Sequence, residues 1–139
     1  ARVLDFYSGI GSFGIECISR GAKEITFVES NIKALMTLKK NIANLKIQNK
    51  TKIFEKKVIS FLRQLNQKNK YEIIFLDPPF SEKLYIEELK IIKVLNILKK
   101  NHIIIIHRED KTKDDLTGIL DVIMTKKYGR SKIIFGKLS

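Results

Sequence analysis

Arg2-Val-Leu-Asp5-Phe-Tyr-Ser-Gly9-Ile-Gly11-Ser-Phe-Gly14 is the stretch that decides the fold. A short apolar run ends in an acid and a glycine turn with the spacing G-x-G-x-x-G follows. An amphipathic segment then runs from about Ser12 to Arg20, with Gly21 as its C-cap. Strand, glycine turn and helix in that order form a nucleoside-binding unit. Glycine adopts backbone angles that other residues avoid and lets the main chain approach a ligand. The helix start offers free N–H groups. Glu29 closes a second apolar run, Glu24 to Glu29, 20 residues after Gly9. A carboxylate there can accept hydrogen bonds from both hydroxyls of a ribose. The competing reading is a tight turn followed by an unrelated acid.

Working outward, short apolar runs alternate with amphipathic segments, which predicts parallel strands joined by helices. Ser30 is expected to cap a helix whose stripe is Leu35, Leu38, Ile42 and Leu45. A third strand is expected near Thr51–Glu55, and a third helix through Val58, Phe61, Leu62 and Leu65. Tyr71–Leu76 reads as a central strand, apolar on both faces. A helix from Tyr85 to Leu98 and a fifth strand Ile103–Ile106 follow. After a charged loop, 108–115, strands at Asp121–Lys126 and Lys132–Phe135 turn around Tyr128-Gly129-Arg130 as an antiparallel hairpin. The predicted fold is α/β: a Rossmann-like, doubly wound, mostly parallel sheet in the order 3-2-1-4-5 plus the hairpin, with helices on both faces. All of residues 1–139 form one domain in this reading.

Composition narrows the function. The chain has 139 residues, 44% hydrophobic and 30% charged, which excludes a disordered tail. Its longest aliphatic run, Ile103–Ile106, is too short to span a bilayer. One cysteine, Cys17, excludes an internal disulfide and a cysteine-based zinc site, and two histidines, His102 and His107, make a histidine-rich metal cluster unexpected. No signal-peptide pattern opens the chain, so a cytoplasmic location is expected. The net charge is +12, and most of the excess lies in residues 1–70. Such a field concentrates a polyanion such as RNA or DNA. A merely lysine-heavy surface is the alternative. Cys17, the histidines and the charged run from Arg108 to Asp115 read as structural or solvated.

The motif that carries chemistry is Asp77-Pro78-Pro79-Phe80, directly after the apolar strand. Two consecutive prolines stiffen the turn and remove two N–H donors. They leave carbonyl oxygens, a carboxylate and an aromatic face. That set suits a planar base with an exocyclic amine: Asp77 and the Pro78 carbonyl accept the amine hydrogens and Phe80 stacks. An ordinary strand-ending turn is the plainer reading. In a doubly wound sheet the ends of the first and fourth strands adjoin where strand order reverses, so the glycine turn and the diproline turn are expected to share one crevice. Asp5, read as pointing into that crevice, favours a cationic nucleoside ligand over a pyrophosphate.

These residues resemble a class I S-adenosylmethionine-dependent methyltransferase of the amino-methylating group. More narrowly, the chain is similar to the bacterial 16S rRNA guanine-N2 methyltransferases (RsmD-like). The match runs through Val3–Glu16, Ser19-Arg20-Gly21-Ala22, Phe27-Val28-Glu29, Asp77–Phe80 and Lys127-Tyr128-Gly129. The resemblance implies methylation of a guanine N2 amine in 16S rRNA within the assembling small subunit, by a monomer. It implies a methyl-donor site at Asp5, Ser8, Gly9, Gly11, Gly14, Glu29, Ser30, Lys57, Val58 and Asp77, and an acceptor site at Asp77, Pro78, Pro79 and Phe80. Members of the family carry a basic N-terminal extension ahead of the first strand, which this sequence lacks before Ala1. Lys57 stands where the family has Asp or Asn for the adenine amine, so adenine contact is expected from the backbone of Lys57 and Val58. His107 replaces an acid after the fifth strand, and Tyr7-Ser8 replaces Phe-Ala. The rivals are a DNA or RNA adenine-N6 methyltransferase, a NAD-binding oxidoreductase using the same glycine turn, and a non-catalytic nucleic-acid-binding module.

Overall fold

The computed structural model describes residues 1–65, 70–79 and 83–139. Seven strands form one sheet in the order β3-β2-β1-β4-β5-β7-β6. They are β1 (Arg2–Phe6), β2 (Glu24–Glu29), β3 (Thr51–Glu55), β4 (Tyr71–Leu76), β5 (Leu98–Glu109), β6 (Leu120–Tyr128) and β7 (Ser131–Leu138). The first five run parallel, and β7 pairs antiparallel with both β5 and β6. The predicted strand order and terminal hairpin are both present, with Gly129 at φ 56 in the hairpin turn. Helices α1 (Ser12–Ser19), α2 (Ile32–Leu45), α3 (Val58–Gln64) and α4 (Leu84–Leu95) connect the parallel strands.

Side chains alternate across β1, so the sheet divides the core into two layers. Val3 packs with Ile25, Phe27, Ile18, Leu35, Leu38 and Ile42 on the α1–α2 side. Leu4 and Phe6 pack with Ile74, Leu76, Phe61, Leu62, Leu89 and Ile92 on the α3–α4 side. Two glycines set the fit on the first side. A Cβ on Gly14 would lie 2.4 Å from the Phe27 ring, and one on Gly11 would lie 2.3 Å from Leu38. These glycines let α1 and its entry turn sit close against β2 and α2. None of the described helices is long and apolar enough to cross a membrane.

Several local expectations are corrected. The N-cap of α2 is Asn31, whose side chain accepts from Ala34 N at 3.0 Å; Ser30 stands one residue too early for that geometry. Leu45 leaves the apolar stripe and is 55% exposed, because the helix ends at once in left-handed Lys46. Helix α4 stops at Leu95, since Asn96 takes a left-handed C-cap conformation. Leu98 therefore opens β5. That strand continues through His107 and Arg108, both expected outside it. Antiparallel pairing with β7 (His107 with Ile133, Arg108 with Lys132) extends it beyond the apolar run.

Candidate active site

The carboxyl ends of β1, β2, β3, β4 and β5 surround one cavity of about 720 Å³. It extends between two ends. At the β2–β3 end the walls are Val28, Glu29, Ser30, Lys56, Lys57, Val58 and Ile59. At the β4–β5 end they are Asp77, Pro78, Pro79, Leu84, Glu88 and His107, and Tyr7 lines it from the turn after β1. The expectation that the glycine turn and the diproline turn adjoin follows from the register, because Phe6 pairs with Leu76 at the tips of neighbouring strands.

The turn after β1 owes its shape to main-chain conformation. Tyr7, Gly9 and Gly11 all have positive φ, at 61, 57 and 91 degrees. Ser8 turns inward, donating its hydroxyl to Asp5 O at 2.7 Å and Val28 O at 3.1 Å. Glu29 grips the turn from β2: it accepts from Gly9 N at 2.7 Å, Ser30 N at 2.9 Å and Asn31 N at 2.8 Å. Gly9 itself faces open space, with nothing within 4 Å of an added Cβ.

Asp5 does not point into the crevice. It is 1% exposed and sits beneath the turn, where Oδ2 accepts from Gly14 N at 3.1 Å at the start of α1. Burial pushes its carboxyl up to about 8, and the Asp77 and Glu29 carboxylates add to the rise while the Gly14 N–H opposes it. Its Oδ1 is buried with no hydrogen-bond partner. Of the ten residues expected to hold a methyl donor, Glu29, Ser30, Lys57, Val58 and Asp77 line the cavity. Asp5, Ser8, Gly11 and Gly14 shape the turn from behind, and Gly9 forms its open rim.

The diproline turn is held differently. Asp77 is exposed, Pro78 buried and Pro79 exposed. Phe80 lies outside the described residues. Asp77 Oδ1 is 2.8 Å from His107 Nδ1. The neighbouring Arg108 is 0% exposed and donates from Nη1 to the Pro79 carbonyl at 3.1 Å. Its Nε donates to Asp114 Oδ2 at 2.9 Å, and its guanidinium lies 5.0 Å from the Tyr85 ring centroid. The Tyr85 hydroxyl donates to the same Asp114 oxygen at 2.8 Å. Burial and that hydrogen bond push the Tyr85 hydroxyl well above its ordinary range. The charged run 108–115 is thus partly interior: at Arg108 and Asp114 the reading as a solvated loop is wrong. A buried guanidinium is tolerable because Asp114, Pro79 and the ring face of Tyr85 together satisfy it.

Four functional candidates escaped the sequence: Tyr7, Glu88, His107 and Arg108. For Arg108 a signal existed. Ile104, Ile106 and Arg108 share one face at period two, and all three are buried. Tyr7 and Glu88 meet across 81 residues, with the hydroxyl 2.8 and 2.6 Å from the two carboxylate oxygens. No short-range pattern encodes that pair.

Comparison with known proteins agrees with this architecture. The profile of the family described as "Conserved hypothetical protein 95" matches residues 1–137. Ribosomal RNA small subunit methyltransferase D of Buchnera aphidicola (strain APS) is 38% identical over 80% of this chain and 57% of its own length. The enzyme of the same name from Buchnera aphidicola (strain Bp) is 35% identical over 96% of this chain and 66% of its own length. The chain thus spans less than two thirds of these relatives. Among solved structures, a candidate methylase from Haemophilus influenzae superposes with a TM-score of 0.83 at 29% identity, covering 100% of this chain and 88% of that one. A candidate methyltransferase complexed with SAH shares the fold, with a TM-score of 0.75 at 16% identity, over 99% of this chain and 45% of that one.

Proposed function

We propose, from the premise that this chain belongs to the conserved hypothetical protein 95 family of RsmD-like proteins, that it is an S-adenosylmethionine-dependent methyltransferase. Its acceptor is the exocyclic N2 amine of a guanine in 16S rRNA of the assembling small subunit. Residues 1–139 act as one catalytic unit, monomeric and cytoplasmic like that substrate. The observation that carries this reading is the single cavity with a ribose-type carboxylate at one end and the diproline turn at the other.

The donor set fits adenosine better than a dinucleotide. Val28, Val58 and Ile59 give apolar walls beside the Glu29 carboxylate, whose one acceptor position not used by Gly9 N, Ser30 N and Asn31 N can take a ribose hydroxyl. Two amides of the glycine turn that could reach a pyrophosphate are already taken, Gly9 N by Glu29 and Gly14 N by Asp5. This counts against NAD. So does the antiparallel β7 placed between β5 and β6, where a dinucleotide fold continues parallel. Glu29, Ser30 and the Lys57–Val58 backbone would hold the adenosine, and the turn at Tyr7–Gly9 the amino-acid tail. When bound, S-adenosylmethionine supplies a methyl carbon made electrophilic by its sulfonium.

An aryl amine is a weak nucleophile because its lone pair is delocalised into the ring. Asp77 and the Pro78 carbonyl accept its two hydrogens, which fixes the nitrogen and favours sp³ geometry. As positive charge develops on nitrogen, the Asp77 carboxylate stabilises it. His107 holds that carboxylate in place, and Arg108 holds the Pro79 carbonyl. The amine proton leaves to Asp77 or to water once the new C–N bond has formed. Catalysis is mainly positioning and electrostatics.

Calorimetry with S-adenosylmethionine, its demethylated product and NAD tests the cofactor. Saturable binding of the first two is expected; binding of NAD alone overturns the reading. Asp77→Ala is expected to cut labelled-methyl transfer by about 10³-fold while cofactor binding persists. Unchanged turnover would refute the role of Asp77.

A further inference from the structure

Glu88 has no part in the chemistry just described, yet it lines the acceptor end of the cavity with Pro78, Pro79, Leu84 and His107. It is 1% exposed, on a helix face it shares with buried Tyr85, Leu89 and Ile92. A leucine there would suit the core better, because a buried carboxylate is costly to keep. Tyr7 adds a second locally unfavourable choice, a non-glycine residue at φ 61. Such conformations persist where surrounding structure enforces them, and they gather at functional sites. Both choices converge on one interaction, the Tyr7 hydroxyl at 2.8 and 2.6 Å from the Glu88 oxygens.

We propose that Glu88, oriented by Tyr7, is the specificity-determining residue of the acceptor pocket: it accepts the N1–H of guanine and thereby excludes adenine. The inference rests on the guanine-N2 reading above. Guanine presents N1–H and the N2 amine side by side on its Watson–Crick edge. With Asp77 and the Pro78 carbonyl on the amine hydrogens, N1–H is the remaining donor on that edge. Adenine presents a lone pair at N1, which would face the acceptor oxygens of Glu88 inside a walled cavity. A carboxylate has about four acceptor sites, so the bond from Tyr7 leaves capacity for a base. The Tyr7 hydroxyl fixes the carboxylate plane, so it acts as a positioning residue.

The test is single-turnover methyl transfer by the full-length protein to small-subunit RNA carrying guanine or 2-aminopurine at the target position. 2-Aminopurine keeps the N2 amine and lacks the N1 proton. The unmodified protein is expected to favour guanine by about 10⁴-fold, as sites built around a substrate N–H do. In Glu88→Gln the side-chain amide can turn its NH2 toward a bare N1, and the preference should fall below about tenfold. Tyr7→Phe, which removes only the orienting hydroxyl, should give an intermediate ratio. Equal losses on both substrates in Glu88→Gln, or an unchanged ratio, overturn the proposal and make Glu88 a structural residue. Should Glu88→Gln fail to fold by circular dichroism, the Tyr7→Phe ratio decides, and no change there overturns the proposal. Mass spectrometry of the digested RNA separates the two readings. Methyl on guanine N2 with an unaltered ratio sinks this inference alone, whereas methyl on adenine sinks the guanine reading with it.

Discussion

The two turns that close the cavity are fixed by opposite means. The turn after β1 is held by main-chain geometry: three consecutive odd-numbered residues at positive φ, with Asp5 and Glu29 receiving its amides. The turn after β4 has two prolines and so few amides to give. Side chains from β5 hold it instead, His107 on Asp77 and Arg108 on Pro79. In the proposed function the first turn yields its open rim to a ligand tail, and hydrogen bonds to backbone suit that. The role proposed for the second, gripping a weak nucleophile, calls for a turn that does not relax, and the buried Arg108–Asp114 ion pair behind it suits that.

The comparison breaks most directly at Arg108. Arg108→Met leaves the buried Asp114 carboxylate with only the Tyr85 hydroxyl and the Lys83 ammonium at 3.8 Å, and frees the Pro79 carbonyl. A stability loss of about 3–5 kcal/mol is expected in urea melts. Combining it with Asp114→Leu should recover most of the loss, since no buried charge then stands alone. A loss well under 1 kcal/mol would show that the prolines alone hold the turn.

The next test lies within the glycine turn itself. Gly14→Ala puts a methyl group against Phe27 and Ile25, and a cost of about 1–3 kcal/mol follows from overpacking. Gly9→Ala meets no neighbour and pays only for its positive φ, roughly 1–2 kcal/mol. Its effect should appear in cofactor affinity by calorimetry, where Gly14→Ala changes little. The same affinity loss in both variants would erase the distinction between rim and support.

A separate test is the pH response of Asp5. Its folded carboxyl titrates near 8, against 3.8 for the ordinary group. The folded state therefore binds the extra proton, and this contribution to stability is present at low pH and lost as pH rises through about 8. Thermal melts should show a lower Tm at about pH 9 than at about pH 6, and Asp5→Asn should flatten the slope. An unchanged slope in the Asn variant would place the titrating group elsewhere.

The same contrast explains what the amino-acid sequence made legible. The glycine turn is encoded within ten residues and by one acid at the next strand end, so its spacing could be read directly. The apolar strands Tyr71–Leu76 and Glu24–Glu29 announced themselves by composition, and their order followed from topological rules. The support of the second turn comes from residues 29 and 30 positions away. In sequence, His107 looks like a strand-end residue and Arg108 like the start of a charged loop, because charge is ordinarily solvated. Only the antiparallel partner β7 carries the strand past Ile106 and draws Arg108 inward. Asp5 misled for a related reason: its distance from Gly9 was readable, while the inward rotation that sends its carboxylate to Gly14 depends on tertiary packing.

Strand β7 has one more consequence. It follows every other strand in the chain, yet it lies inside the sheet, between β5 and β6. During synthesis β1 to β5 can assemble in order of appearance, but the far edge of β5 stays open until Ser131–Leu138 has left the ribosome. Until then His107 and Arg108 have no fixed rail behind them, and the support of the diproline corner is unfinished.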